Sequence, residues 1–262
     1  MCLIAFAWRV HPRYPLIIAA NRDEFHARPT APLLHWQENE DVIGGRDLRE
    51  NGSWMALRRG GRLAAVTNVR DADLPPGKRS RGHLVRDFVL GNALAASFAE
   101  DAWMSGADYG GFNLLLHDGT ELIWVGNRPK PMWKSITPGI HAISNGAPSF
   151  VHGQPLWPKV VLSMAGLKAW LRTLSATTEP DTAPLFAMFA DQRPIADHKL
   201  PDTGVGIEAE RMLAPPFIGG DTYGTRCSSV VLIDDNGAAT MIERRFGPNG
   251  TSGGETKILL PG

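Results

Sequence analysis

The chain has 262 residues and 28.5 kDa, 43% of them apolar, which is enough to fill a substantial core in one large domain or two small ones. Its 27 basic and 27 acidic residues cancel to a pI near 7.1, so net charge gives no drive toward nucleic acid or an anionic membrane. Two cysteines make no disulfide framework, no CxxC pair or HExxH motif suggests a metal, and no stretch reaches the roughly 18 to 20 apolar residues of a membrane span.

CLIAFAW and LIIAAN are apolar runs of strand length separated by RVHPRYP, and they predict an N-terminal hairpin covered on both faces. NRDEFHARPTAP is polar and proline-rich and reads as a loop; GGRDLRENGSW follows, with an Asn-Gly turn at Asn51 and Gly52. SWMALR and RLAAVTNV flank Gly60-Gly61 as a second hairpin. The basic run GKRSRGHLVR, Gly77 to Arg86, opens an amphipathic segment and is expected to be an ordinary solvated face rather than a phosphate site. From Ser80 to about Trp103, Leu84, Val85, Phe88, Val89, Leu94 and Phe98 recur at helical spacing, interrupted at Gly91-Asn92, so two helices or one broken helix follow.

FNLLLHDG, ELIWVGN and GIHAISNG predict further strands. Residues 158–174 and 182–189 read as helices, with a shorter one at 208–212. ATTEPDTAP, residues 176–184, is the best linker candidate, and a surface loop within one domain spanning residues 1–262 is the preferred account. SSVVLIDDNG and ATMIERRF pair across Asn236-Gly237, and KILL closes the chain. Strands, helices, strands, helices, strands is not a βαβ alternation, so mostly antiparallel sheets layered with helices are expected.

Several motifs fail on context. Gly204, Gly206 and Ala209 match a dinucleotide fingerprint, but HKLPD before them is no strand; Walker A and Gly-x-Ser-x-Gly sequences are absent. The sequons at Asn51 and Asn249 are chance matches for a protein expected to be cytoplasmic, since the first apolar run has neither a basic region before it nor a cleavage site after it. No cofactor or metal is expected, and Cys227, alternating into a strand, reads as a core thiol.

Cys2 is different. Removal of Met1 would leave its thiol and its α-amine on one residue, nucleophile and base together, the amine with a reference pKa of about 7.7 to 8.0. LIIAANRDEF delivers Asn21, Arg22, Asp23 and Glu24 beside it if the first hairpin forms: an arginine to hold a thiolate and a carboxylate to orient an ammonium.

MCLIAFAW, AANRDEFHARPT, GGRDLRENGSWMAL, AAVTNVR, SRGHLVRDF, ISNG, LWPKV and YGTRCSSVVLID together resemble the NRDE-motif family, also called the transport and Golgi organisation type two family. That family is similar, more distantly, to N-terminal nucleophile hydrolases of the choloylglycine hydrolase and penicillin V acylase kind. The resemblance implies an α+β fold, a four-layer αββα sandwich, and carries Cys2 over as nucleophile, Arg22 as its neighbouring arginine, Asn68 and Asn145 as oxyanion donors and Arg226 as a late active-site arginine. Asp23 is the nearest carboxylate for the α-amine, with Glu24 the substitute, because the position where the hydrolases carry their aspartate is Phe25. The implied activity is hydrolysis of a non-peptide amide of a small molecule; the alternative is a carrier that binds haem or a lipid, an apolar ligand, in the same cleft. The loops at 24–53, 70–80 and 128–138 are expected to shape it.

Overall fold

A computed structural model describes residues 2–73, 77–153, 155–175 and 178–262. In chain order it has β1 (Cys2–Trp8), β2 (Leu16–Phe25), β3 (Thr30–Trp36), β4 (Asn39–Asp47), β5 (Met55–Arg58), β6 (Arg62–Asn68), α1 (Arg81–Leu90) and α2 (Ala95–Met104). It continues with β7 (Phe112–His117), β8 (Leu122–Gly126), β9 (Met132–Ser135), β10 (Gly139–Ile143), α3 (Pro158–Leu171), α4 (Ala183–Phe189), α5 (Ile207–Leu213), β11 (Tyr223–Ile233), β12 (Ala239–Phe246) and β13 (Ser252–Leu260).

The strands form two antiparallel sheets, one ordered β10-β1-β2-β11-β12-β13 and the other running sequentially from β3 to β9. The N-terminal hairpin explains why CLIAFAW and LIIAA show no polar alternation. Ile4, Phe6, Trp8, Leu16 and Ile18 fill the layer between the sheets, whereas Leu3, Ala5, Ala7 and Ile17 pack beneath α3 and α4. Both faces are therefore dry, as in a sheet buried within layers. On the far side, Leu84, Val85, Phe88 and Val89 of α1, with Ala95, Ala99 and Ala102 of α2, cover the second sheet. The result is the expected α+β sandwich of four layers, helices, sheet, sheet, helices.

Three departures from the sequence reading bear on the site. NRDEF is not loop: β2 runs through Phe25, because β1 and β11 pair with it on either side as far as Arg22 and β11 pairs with it to the end. β3 and β4 lie where a loop was expected; register breaks in their pairing scrambled the alternation that announces a strand. β11 carries a bulge between Thr225 and Cys227, which leaves Arg226 without a partner on β2. Asn51, expected at a turn, sits at φ 54. The 176–184 linker candidate begins with residues 176–177, outside the described residues, as Met1 is.

Candidate active site

β2 distributes its four polar residues by strand alternation. Asn21 faces the helical layer, where its amide donates to the carbonyls of Phe189 and Pro216 at 2.8 Å each and accepts from the Ser228 hydroxyl at 2.6 Å. It is a strut between sheet and helices. Arg22 faces the other way, directly opposite Cys2 on β1 and opposite Cys227 on β11. Its guanidinium lies 4.4 Å from the Trp54 ring and 4.0 Å from the Glu24 carboxylate; it is 6% exposed, and its buried Nη1 has no hydrogen-bond partner among the described residues. Trp54 reaches it by crossing Gly45, whose missing side chain makes the room: a Cβ there would stand 1.9 Å from the indole.

Asp23 turns back toward the helices. It accepts a 2.7 Å hydrogen bond from the Thr225 hydroxyl, and its backbone carbonyl accepts from the Tyr223 hydroxyl at 3.1 Å. Burial pushes its carboxyl above the usual range, while the Lys159 ammonium and the Thr225 bond pull it back. Lys159, fully buried at the start of α3, donates to the Leu213 carbonyl at 3.0 Å. Burial lowers it from 10.5 to about 8, against the opposing charge of Asp23. Beyond it Arg70 and Glu210 form a buried ion pair at 2.7 Å, with the Thr203 hydroxyl also donating to Glu210.

Cys2 is 8% exposed and opens on a cleft of about 1030 Å³. Burial raises its thiol above the ordinary value, and the Arg22 guanidinium works against that rise. The Ser144 hydroxyl donates to its carbonyl at 3.1 Å. Asn68 lines the cleft beside it. Asn145, with 0% exposure, donates its amide to the backbone and side-chain oxygens of Asn68 at 3.0 Å each. Its donors are thus spent on holding Asn68 and do not point into the cleft. Arg226 is not brought to the site: from the bulge it donates to the carbonyls of Phe25 and Arg28 at 2.9 and 3.2 Å, clasping the turn after β2. Cys227 is buried as expected, its thiol raised by burial and the neighbouring Glu243.

The cleft walls come from residues 22–28, 47–54, 66–71, 77–82 and 110–111, closed by 205–223. The 128–138 loop takes no part, because β9 leads that segment along the far edge of the second sheet. Sequence reasoning missed Arg81, Lys159 and the Arg70–Glu210 pair. The one available signal was position: Arg70, Arg81 and Lys159 all fall inside segments that carry the family resemblance.

Two stacked antiparallel sheets between helical layers make up the fold of the N-terminal nucleophile hydrolases. Two solved structures share it, both of conjugated bile acid hydrolase from Clostridium perfringens, one a mutant and one a variant. They superpose with TM-scores of 0.53 and 0.54 at 10% and 9% identity, covering 98% of this chain and 92% of theirs. The chain belongs to the Transport and Golgi organisation 2 family, whose model matches residues 1–248. Among its relatives are the Transport and Golgi organization 2 homologs of Homo sapiens, 29% identical over 98% of this chain and 97% of that protein, and of Mus musculus, 28% identical over the same shares. Transport and Golgi organization protein 2 of Drosophila melanogaster is 27% identical over 93% of this chain and 91% of its own length. No helix among the described residues is long and apolar enough to cross a membrane.

Proposed function

We propose that residues 1–262 act as one cysteine-type N-terminal nucleophile hydrolase domain that cleaves the C–N bond of a small non-peptide amide. The observation that carries this reading is the register of Cys2 against Arg22 at the floor of the cleft, with Asn68 beside them held by Asn145. After Met1 is removed, the Cys2 α-amine takes the thiol proton and Sγ attacks the carbonyl carbon. Asn68 donates to the oxyanion and Arg22 supplies the compensating charge. The amine returns its proton to the leaving nitrogen, the C–N bond breaks, and water hydrolyses the thioester, its proton restoring the thiol. Asp23, backed by Lys159, orients the ammonium form of the amine. Such chemistry requires a free thiol, in keeping with a reducing, cytoplasmic setting.

The carrier reading finds less support, because charged side chains line the cleft and no histidine is among its described lining residues.

Intact-mass spectrometry of cell-made protein tests the proposal, with iodoacetamide labelling at pH 7 of the processed chain, of a chain with one extra N-terminal residue, and of Cys2→Ala. The processed chain should lack Met1 and take one label faster than free cysteine, the extended chain should label slowly because its thiol is buried without an adjoining amine, and the alanine variant should take none at that site. Full retention of Met1, or a processed Cys2 no faster than free cysteine, would overturn it.

A further inference from the structure

β13 is the longest strand at a sheet edge, and among the described residues no strand pairs with its outer side. Residues 252–255, Lys257 and Leu259 are exposed, Leu259 by 65%. Every second residue of such an edge turns its N–H and C=O away from the neighbouring strand, a template on which another strand pairs.

The strand reads SGGETKILL, and it is self-complementary about its middle residue, Thr256. Two copies laid antiparallel with Thr256 opposite Thr256 set all nine residues of one strand against the other. Glu255 of each copy then opposes Lys257 of the other. The bulky Ile258, Leu259 and Leu260 meet Gly254, Gly253 and Ser252, which have little or no side chain to obstruct them. Centring the pair on residue 257 sets lysine against lysine, and centring it on 255 sets glutamate against glutamate, arrangements that cost stability. Centring it on 258 sets Lys257 against Leu259 and forfeits the charge pairs.

Both charges are already held in line within the chain. Arg244, whose guanidinium lies 4.1 Å from the centre of the Phe186 ring, bonds Glu255 across the β12–β13 ladder at 2.7 Å. Lys257 bonds Glu179 at 2.7 Å. In the centred pair, Arg244 and Glu255 of one copy continue into Lys257 and Glu179 of the other, a row of alternating sign that occurs twice. An isolated exposed ion pair contributes little, whereas a network of several charges contributes more.

We propose that β13 is the docking edge for a second copy of this chain, paired antiparallel about Thr256, so that two six-stranded sheets join into one. A contact that uses the same edge on both partners closes at two. The shared edge is narrow beside a standard interface, so the dimer is a weak one that dissociates on dilution. The proposal does not rest on the hydrolase reading, since no residue of β13 lines the cleft.

Sedimentation velocity of the full chain, from low micromolar to near-millimolar concentration, tests it. The parent should pass from monomer to dimer with no larger species. Lys257→Glu and Glu255→Lys each set like charges opposite one another twice over, and each should weaken the dimer by about tenfold. The double exchange, Glu255→Lys with Lys257→Glu, restores opposite charges between copies while leaving Arg244 and Glu179 each beside a like charge within the chain. It should lower the melting temperature yet recover the dimer, a split that a purely intramolecular role does not produce. Mild oxidation should crosslink Thr256→Cys, whose Cα atoms then face each other within disulfide reach, and should spare Ile258→Cys on the same face of the strand. The crosslink reads the register with the native charges intact, and so decides the matter where a charge variant fails to fold. A parent that stays monomeric, assembly beyond two, single variants that dimerise like the parent, a double exchange no better than the singles, or faster crosslinking of Ile258→Cys would each overturn the proposal.

Discussion

Arg22 and Asp23 are neighbours in the chain and work in different layers, because a strand sends consecutive side chains to opposite faces. Placing Arg22 against Cys2 was legible in the sequence: two apolar runs joined by a short turn must pair, and pairing them end to end brings position 22 to position 2. The duties of Asn145 and Arg226 were not. Both are polar residues at strand ends, and nothing in ISNG or YGTRCSS says which neighbour will take their N–H groups. For Arg226 the cause is the bulge, an extra residue that apolar alternation does not reveal. Asn145, itself fully buried, orients Asn68 at the edge of the cleft through two hydrogen bonds. Asn145→Ala should therefore lower unfolding free energy by about 1 to 3 kcal/mol in urea titrations, the penalty for stranding buried partners. An unchanged midpoint would mean that Asn68 does not depend on it.

The elements that matter most to the site are the ones with irregular pairing. α1, α2, α3 and α4 were readable from apolar spacing because each buries one stripe, and β5, β6, β11 and β12 from their turns. β3 and β4 were not, since register shifts and a proline interrupt the alternation of TAPLLHW. β4 nevertheless makes the site possible through Gly45, where the Trp54 ring crosses the strand on its way to Arg22. Gly45→Ala puts a methyl inside that ring's volume. It should displace the indole, shift tryptophan emission and destabilise the chain by about 1 to 3 kcal/mol, as overpacking does. Emission and stability both equal to the parent's would show that the indole has somewhere else to go.

Across the whole molecule, α5 is tied down at two points, by Glu210 to Arg70 and Thr203 and by the Leu213 carbonyl to Lys159. Met212 and Leu213 line the cleft, so these ties also set one of its walls. Lys159 makes the fold pH-dependent. Its value falls from 10.5 to about 8 on burial. Between those two values the unfolded chain holds a proton that the folded chain has released, so this contribution to stability is complete above the higher value and lost as pH falls to the lower. Its size is about 3 kcal/mol, at about 1.4 kcal/mol per pH unit. Cys2 and Cys227 act in the opposite sense, because their thiols are raised. The difference in urea stability between the parent chain and Lys159→Met, followed from pH 7 to about 10.5, isolates the lysine. The parent should gain on the variant as pH rises, and parallel curves would contradict the assignment. The alignment of Cys2, Arg22 and Cys227 across three strands has an oxidative consequence. Two strand spacings of about 4.8 Å set the cysteine Cα atoms about 10 Å apart. That lies well beyond the reach of a disulfide. With no other thiol in the chain, a Cys2 sulfenate formed by peroxide has no resolving thiol within its own molecule, and its return through a disulfide needs a thiol arriving through the cleft.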